Sequence, residues 1–268
     1  MYATDFIYDG EHLSDYHFVI CSIDSDEGVK EINPGSDIVF NQISINSGYK
    51  HSLISTRYDN CISLTFDICK DPDYFNNIEI TEAEYRRIFR WLNRKEFKKF
   101  RFRTGYTRKC YFNASFNITN IYVDDRLYGF RLTMYTDKPY GYGEEESIVL
   151  EASNTQKVFD VINKSDEIGS IYPTVKIEML SSGDLTITNE TYLEGCPTQI
   201  KNCSVGEVIV IDCENQIITS TKPDHICDDF NYRFFSLGSS YRNDKNEISI
   251  SLPCRVTITY EPIIKNIN

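Results

Sequence analysis

One stretch of this chain carries helical periodicity, and it interrupts a sequence otherwise patterned for strands. Thr81-Glu82-Ala83-Glu84 has the form of a capping box: the Thr81 hydroxyl accepts from the Glu84 amide while the Glu84 carboxylate reaches back. Tyr85, Ile88, Phe89 and Leu92 follow at spacings of three and four, with Arg86, Arg87, Arg90 and Arg94 on the other faces. The spacing predicts one amphipathic helix over residues 81–95. Outside it the apolar period is two. The chain has 33 Ile against 12 Leu, with 19 Tyr and 16 Phe, and this β-branched and aromatic bias favours strands. Its 268 residues suffice for one large or two ordinary domains.

Phe6-Ile7-Tyr8 precedes the turn dipeptide Asp9-Gly10, and Tyr16, Phe18 and Ile20 then alternate, so a strand, a turn and a strand are expected over residues 6–22. Residues 24–37 are acidic and carry Gly and Pro, which reads as a loop. Further strands are expected at 38–46, 61–69, 99–104, 110–121 and 127–136. Pro139, Gly141 and Gly143, followed by Glu144-Glu145-Glu146, mark a domain boundary, giving domains 1–143 and 144–268. Beyond it no helix is expected. Val175, Ile177 and Met179 alternate before Ser181-Ser182-Gly183-Asp184, and Leu185 and Ile187 after it, which predicts a hairpin. A second turn at Cys213-Glu214-Asn215 separates 208–211 from 216–219, and alternation resumes at 248–252 and 256–260. Many short strands with regular turn signals point to an antiparallel β-sandwich. The fold class is therefore mainly β: an α+β N-terminal domain with one principal helix, then a sandwich.

The net charge of −12 argues against nucleic acid as a specific partner. The charge is unevenly placed. Residues 86–109 hold eleven Lys and Arg and one acid, Glu96, so this segment is +10 in a chain that is otherwise −22. It reads as a solvated helix face and charged strand edge, as a docking surface for an acidic partner or the acidic surface of another copy of this chain, or as a DNA contact. No apolar run approaches the roughly 18 residues of a membrane span. No Lys or Arg precedes Lys30, so a basic secretion signal is not expected and no membrane partner is implied.

Chemistry-bearing motifs are sparse. The nine Cys form no CxxC pair, and reduced core thiols are expected. His12, His17, His51 and His225 show no metal-ligand spacing, and His225 near Cys227 reads as core or loop filler. Asp24-x-Asp26-x-Gly28 lacks the continuation of a calcium loop and reads as a solvated acidic loop. No nucleophile elbow, Walker A or dinucleotide fingerprint occurs, so neither catalysis nor a cofactor is expected. His225, Asn231 and Arg233 do not match the spacing of a galectin sugar site. Sugar binding by the sandwich would need a Tyr platform, since the single Trp, Trp91, lies in the helix.

An ordered series of short motifs then resembles the distal tail protein family of long-tailed bacteriophages. Phe6-Ile7-Tyr8-Asp9-Gly10 resembles the family's opening strand pair, and Ile88-Phe89-Arg90-Trp91-Leu92 its belt helix. Tyr111-Phe112-Asn113-Ala114, Gly129-Phe130 and residues 136–140 are similar to the end of its N-terminal domain. Val161-Ile162-Asn163, Tyr172-Pro173, Leu185-Thr186-Ile187-Thr188-Asn189, Gly206-Glu207, Ile211-Asp212 and Tyr260-Glu261-Pro262 resemble its galectin-like sandwich. The resemblance implies a structural tail-tip hub: a homo-hexameric belt ring that joins the tail-tube protein to a tail-associated tip protein and carries receptor-binding or baseplate proteins. On this reading Arg86, Arg87, Arg90, Arg94, Lys95, Lys98 and Lys99 line an inter-subunit or tube contact, located at the virion tail tip. The chain is too short to hold the inserted carbohydrate-binding module of longer members. A carbohydrate-binding module or adhesin is the alternative reading.

Overall fold

The computed structural model describes residues 4–21, 37–44, 51–103, 110–153, 157–192 and 197–265. Contacts divide these into two compact units: residues up to Gly143 together with those from Ile264 onward, and Glu144–Ile263. Most of the loop expected at 24–37, including the Asp24–Gly28 motif, lies outside the described residues, as do Arg108, Lys109 and Cys196.

The first unit is built on a seven-stranded antiparallel sheet. Its strands are β1 (Phe6–Tyr8), β2 (Glu11–His12), β3 (Phe18–Cys21), β6 (Ser63–Lys70), β7 (Lys98–Phe102), β8 (Phe112–Val123) and β9 (Arg126–Thr136), in the order β2-β1-β7-β8-β9-β6-β3. β4 (Ile38–Ser44) and β5 (His51–Tyr58) form a separate two-stranded hairpin, and β10 (Gly141–Tyr142) closes the unit. β8 and β9 join through Asp124 and Asp125, both at positive φ, as a two-residue hairpin turn matched to the sheet twist requires.

The period of two sorts side chains by face. Phe6, Tyr8, Phe18, Phe66, Phe100, Phe102, Phe112, Phe116 and Phe130 share one face and are buried. Lys99, Asn113, Ser115, Asn117 and Thr133 fall on the other, polar face. The helix α1 (Glu82–Leu92) covers the aromatic face with Ile88, Trp91 and Leu92. Trp91 anchors it: the indole Nε1 donates to the Tyr8 carbonyl at 3.0 Å, and its ring stacks on Phe6. The expected capping box is present, with the Thr81 amide donating to Glu84 at 2.7 Å. α1 stops at Leu92 rather than at 95, because Asn93 leaves helical geometry and donates through its side chain to the Phe116 carbonyl. Tyr16 is not in a strand as expected. It ends a 3₁₀ turn (Leu13–Tyr16), and His17 at positive φ redirects the chain into β3.

The second unit is a sandwich of two antiparallel sheets. Its strands are β11 (Glu146–Ala152), β12 (Lys157–Ile162), β13 (Gly169–Ile171), β14 (Thr174–Met179), β15 (Gly183–Asn189), β16 (Thr198–Cys203), β17 (Val208–Asp212), β18 (Ile217–Ser220), β19 (Leu237–Ser239), β20 (Lys245–Ile250) and β21 (Cys254–Tyr260). One sheet has the order β11-β21-β14-β17-β18 and the other β12-β20-β15-β16, with β13 paired to β19. Alternating Val175, Ile177, Leu185, Ile187, Ile209, Ile211, Ile248, Ile250, Val256 and Ile258 fill the space between.

Two expectations fail here. The hairpin across residues 181–184 is a corner instead: β14 pairs with β17 and β21, whereas β15 pairs with β16 and β20 in the opposite sheet. A second helix exists, α2 (Pro223–Asp229), opened by Pro223 in its first turn, where the missing N–H costs nothing. The thiols also divide. Cys110, Cys203, Cys213 and Cys254 are buried as expected, but Cys61 and Cys227 are exposed. Among the described residues no helix is long and apolar enough to cross a membrane.

Candidate functional site

The described residues of the basic segment do not form a single surface. Its four arginines do converge. Arg86, Arg87, Arg90 and Arg94 recur at spacings of one, three and four along the exposed side of α1 and its exit. With Glu11, Tyr16, Ala83 and Trp91 they line an open groove of about 470 Å³. Lys95 is exposed beyond the helix end. Lys98 starts β7 and pairs with Glu96 at 2.9 Å. Lys99 is one residue further, so the strand period sends it to the opposite face of the sheet, its ammonium 4.2 Å from the Tyr111 ring centre. Lys99 is therefore separated from the arginine groove by the thickness of the sheet.

The groove is held in shape by aromatic stacking. Tyr16 stacks on Trp91 with ring centres 4.4 Å apart and planes 8° off parallel. The Arg87 guanidinium lies 4.2 Å from the centre of the Tyr16 ring. The Arg94 Nε donates to the Trp91 carbonyl at 3.0 Å, which fixes that side chain at the end of the helix. Arg86 pairs with Glu82 at 2.6 Å one turn earlier. Arg90 makes no ion pair among the described residues. Glu11 accepts from the Tyr16 hydroxyl. Burial, then this hydrogen bond, pushes the Tyr16 phenol up to about 12, so it stays a donor across the physiological range. Two guanidiniums are thus held in place beside a third with no counter-charge, a geometry suited to carboxylates on a partner surface. The sequence located the four arginines but not Tyr16, which is 75 positions from Trp91 and carries no local signal of that contact.

A second surface was missed as a site. In the β4–β5 hairpin, Ile38, Phe40, Ile43, Leu53 and Ile54 are 48–66% exposed. The hairpin belongs to neither of the large sheets. A lone two-stranded hairpin is marginal in water, and this one exposes Ile38, Phe40 and Leu53 on one face and Ile43 on the other. Its base is tied down by Tyr58, whose ring contacts Tyr140 edge-on and lies 5.6 Å from the Lys265 ammonium.

His225 is not filler. It lies on α2 with its Nε2 2.8 Å from Glu207 Oε1 and its Nδ1 3.0 Å from Asp229 Oδ2. Glu207 is fully buried and also accepts from the Ser204 amide and the Ser220 hydroxyl. Among the described residues no group of three His, Cys, Asp or Glu side chains is arranged to hold a metal ion.

The profile of the phage tail protein N-terminal domain family matches residues 1–138, and that of the phage tail C-terminal domain family matches residues 140–260. The SPbeta prophage-derived protein YomH of Bacillus subtilis (strain 168) is 28% identical over 196 residues, spanning 70% of this chain and 71% of that protein. The fold is similar to that of the SPP1 Dit protein, described as a paradigm of the hub adsorption apparatus of phages infecting Gram-positive bacteria. Here the TM-score is 0.66 at 12% identity, over 96% of this chain and 98% of that one. A chain of the phage p2 baseplate aligns with a TM-score of 0.48 at 10% identity, over 96% of this chain and 97% of that one.

Proposed function

The chain belongs to the phage tail protein family whose N- and C-terminal domains together span residues 1–138 and 140–260, and on that premise we propose that it is the hub of a tail tip. Six copies close into a ring. The ring joins the tail-tube protein to a tail-associated tip protein, and the C-terminal sandwich carries receptor-binding or baseplate proteins. The role is structural rather than catalytic, and the site of action is the virion tail tip. The end-to-end likeness to a protein described as a hub supports this reading.

The observation that carries it is the apolar β4–β5 hairpin. A ring needs a heterologous contact, in which one surface meets a different surface of the next copy. Ile38, Phe40 and Leu53 share one face of a hairpin outside the main sheet, with Ile54 at its bulge, and supply one such surface. The arginine groove supplies a separate contact, with acidic surface of the next copy, in a domain that is acidic outside the basic segment. Charge pairing of this kind sets register and speeds encounter more than it adds affinity. Of the seven basic residues, Arg86, Arg87, Arg90 and Arg94 form the contact. Lys95 and Lys98 border it, and Lys99 serves a different face.

Two variants test the two surfaces separately. Phe40→Asp/Ile54→Asp is expected to abolish the six-subunit species while leaving a folded monomer. Arg90→Glu/Arg94→Glu is expected to slow ring formation and reduce its salt dependence. Normal rings from the hairpin variant would sink the proposal.

A further inference from the structure

The second domain holds a polar groove outside the residues assigned above to ring contacts. It has a volume of about 470 Å³ and lies between residues 163–168 and the turn at 239–244. At its rim stands Tyr241, 77% exposed, the most exposed large aromatic or aliphatic side chain among the described residues. We infer that this groove binds a saccharide, with one sugar ring stacked on Tyr241.

The turn that presents Tyr241 is built rather than loose. Ser240 and Asn243 exchange both backbone hydrogen bonds, at 2.8 and 3.2 Å, leaving Tyr241 and Arg242 as the two residues between. The Ser240 hydroxyl also donates to the Asn243 carbonyl, and so does the Tyr192 hydroxyl at 2.6 Å. Three fully buried asparagines sit beneath. Asn246 accepts from the Gly238 amide at 2.8 Å and donates to the Gly238 and Asp244 carbonyls, each at 3.0 Å. Asn189 donates to Asn246 at 2.7 Å. The Asn163 backbone N–H donates to the Asp244 carbonyl at 2.8 Å, and its side-chain nitrogen to the Gly238 carbonyl at 3.4 Å. Gly238 is packed so closely on Tyr192 that a Cβ there would lie 2.1 Å from the ring. Buried amides stabilise little unless all their bonds are made. Here they brace one surface turn, so a ligand meets it already ordered.

The polar groups at the rim are unspent. The Arg242 guanidinium contacts only the Tyr241 ring, 4.9 Å from its centre. The Asn243 side-chain amide nitrogen and the Asp244 carboxylate make no hydrogen bond among the described residues. A ring platform beside two planar donors and one carboxylate acceptor is what a pyranose presents its complement to: an apolar C–H face and a rim of hydroxyls. Apart from Tyr241 and Ile168 the lining is polar, which gives an apolar peptide anchor nothing to fill.

The test is a glycan array carrying neutral hexose and anionic hexose oligomers, probed with the full chain and with Tyr241→Phe, Tyr241→Ala and Arg242→Ala. The wild-type chain is expected to bind at least one hexose class. Tyr241→Phe keeps the ring and should bind within about threefold, and Tyr241→Ala should bind at least about tenfold more weakly. Arg242→Ala should weaken binding too. Thermal midpoint and native mass should be unchanged in all three, since the residues are exposed. Absence of binding by the wild-type chain to any glycan, or equal binding by Tyr241→Ala, would overturn the inference without touching the ring.

Discussion

The most consequential single residue outside the groove is His225. Its imidazole is held above the ordinary value of 6.5, first by the hydrogen bond to buried Glu207 and then by Asp229. Burial acts to raise Glu207, but hydrogen bonds from Ser220, the Ser204 amide and His225 outweigh it and hold the carboxyl below its ordinary 4.5. A raised histidine stabilises the fold fully below 6.5 and loses that contribution as pH rises through its folded value. A depressed carboxyl stabilises above 4.5 and loses it as pH falls. The melting temperature of the C-terminal domain is thus expected to peak between these limits. His225→Gln should flatten the alkaline limb, and a limb unchanged in that variant would remove His225 from the account. Below pH 6.5, where His225 is charged, His225→Ala leaves Glu207 buried without its cation and should cost about 3 kcal/mol by denaturant titration. None of this was visible in the sequence, because 18 positions separate His225 from Glu207 and the short helix that turns it inward gives only a weak signal. Trp91 is similar. Its helix was legible, but its contacts with Tyr8 and Tyr16 depend on strand order.

Among elements, α1 was legible and α2 was not. α1 has a capping box and an apolar stripe long enough to show a period, whereas α2 has seven residues and one buried side chain, Ile226. Thr81→Ala should cost about 1 kcal/mol in stability and little in assembly, since it removes one cap. The failed hairpin at residues 181–184 has a plain cause: alternation reports which side chains face inward, and in a sandwich strands from either sheet face the same core. Periodicity therefore could not assign β14 and β15 to sheets. The β10 strand makes its own prediction. A Cβ on Gly141 would lie 2.2 Å from the Cys110 Sγ and 2.8 Å from Phe112, so Gly141→Ala should destabilise the first domain by about 1–3 kcal/mol in thermal or denaturant unfolding.

At the scale of the whole molecule, the proposed ring closes through the apolar hairpin and the groove of arginines. In the proposed assembly, the net charge of −12 keeps free chains apart, and the basic groove directs encounter with acidic surface of the next copy. The sequence made the uneven charge plain but not its division between two faces of a sheet, which needed the register of β7. The most direct test is the native mass of the purified chain at low and high salt. The account predicts a species six times the 31.2 kDa subunit, formed more readily at low salt. A monomer at every concentration and salt would contradict it.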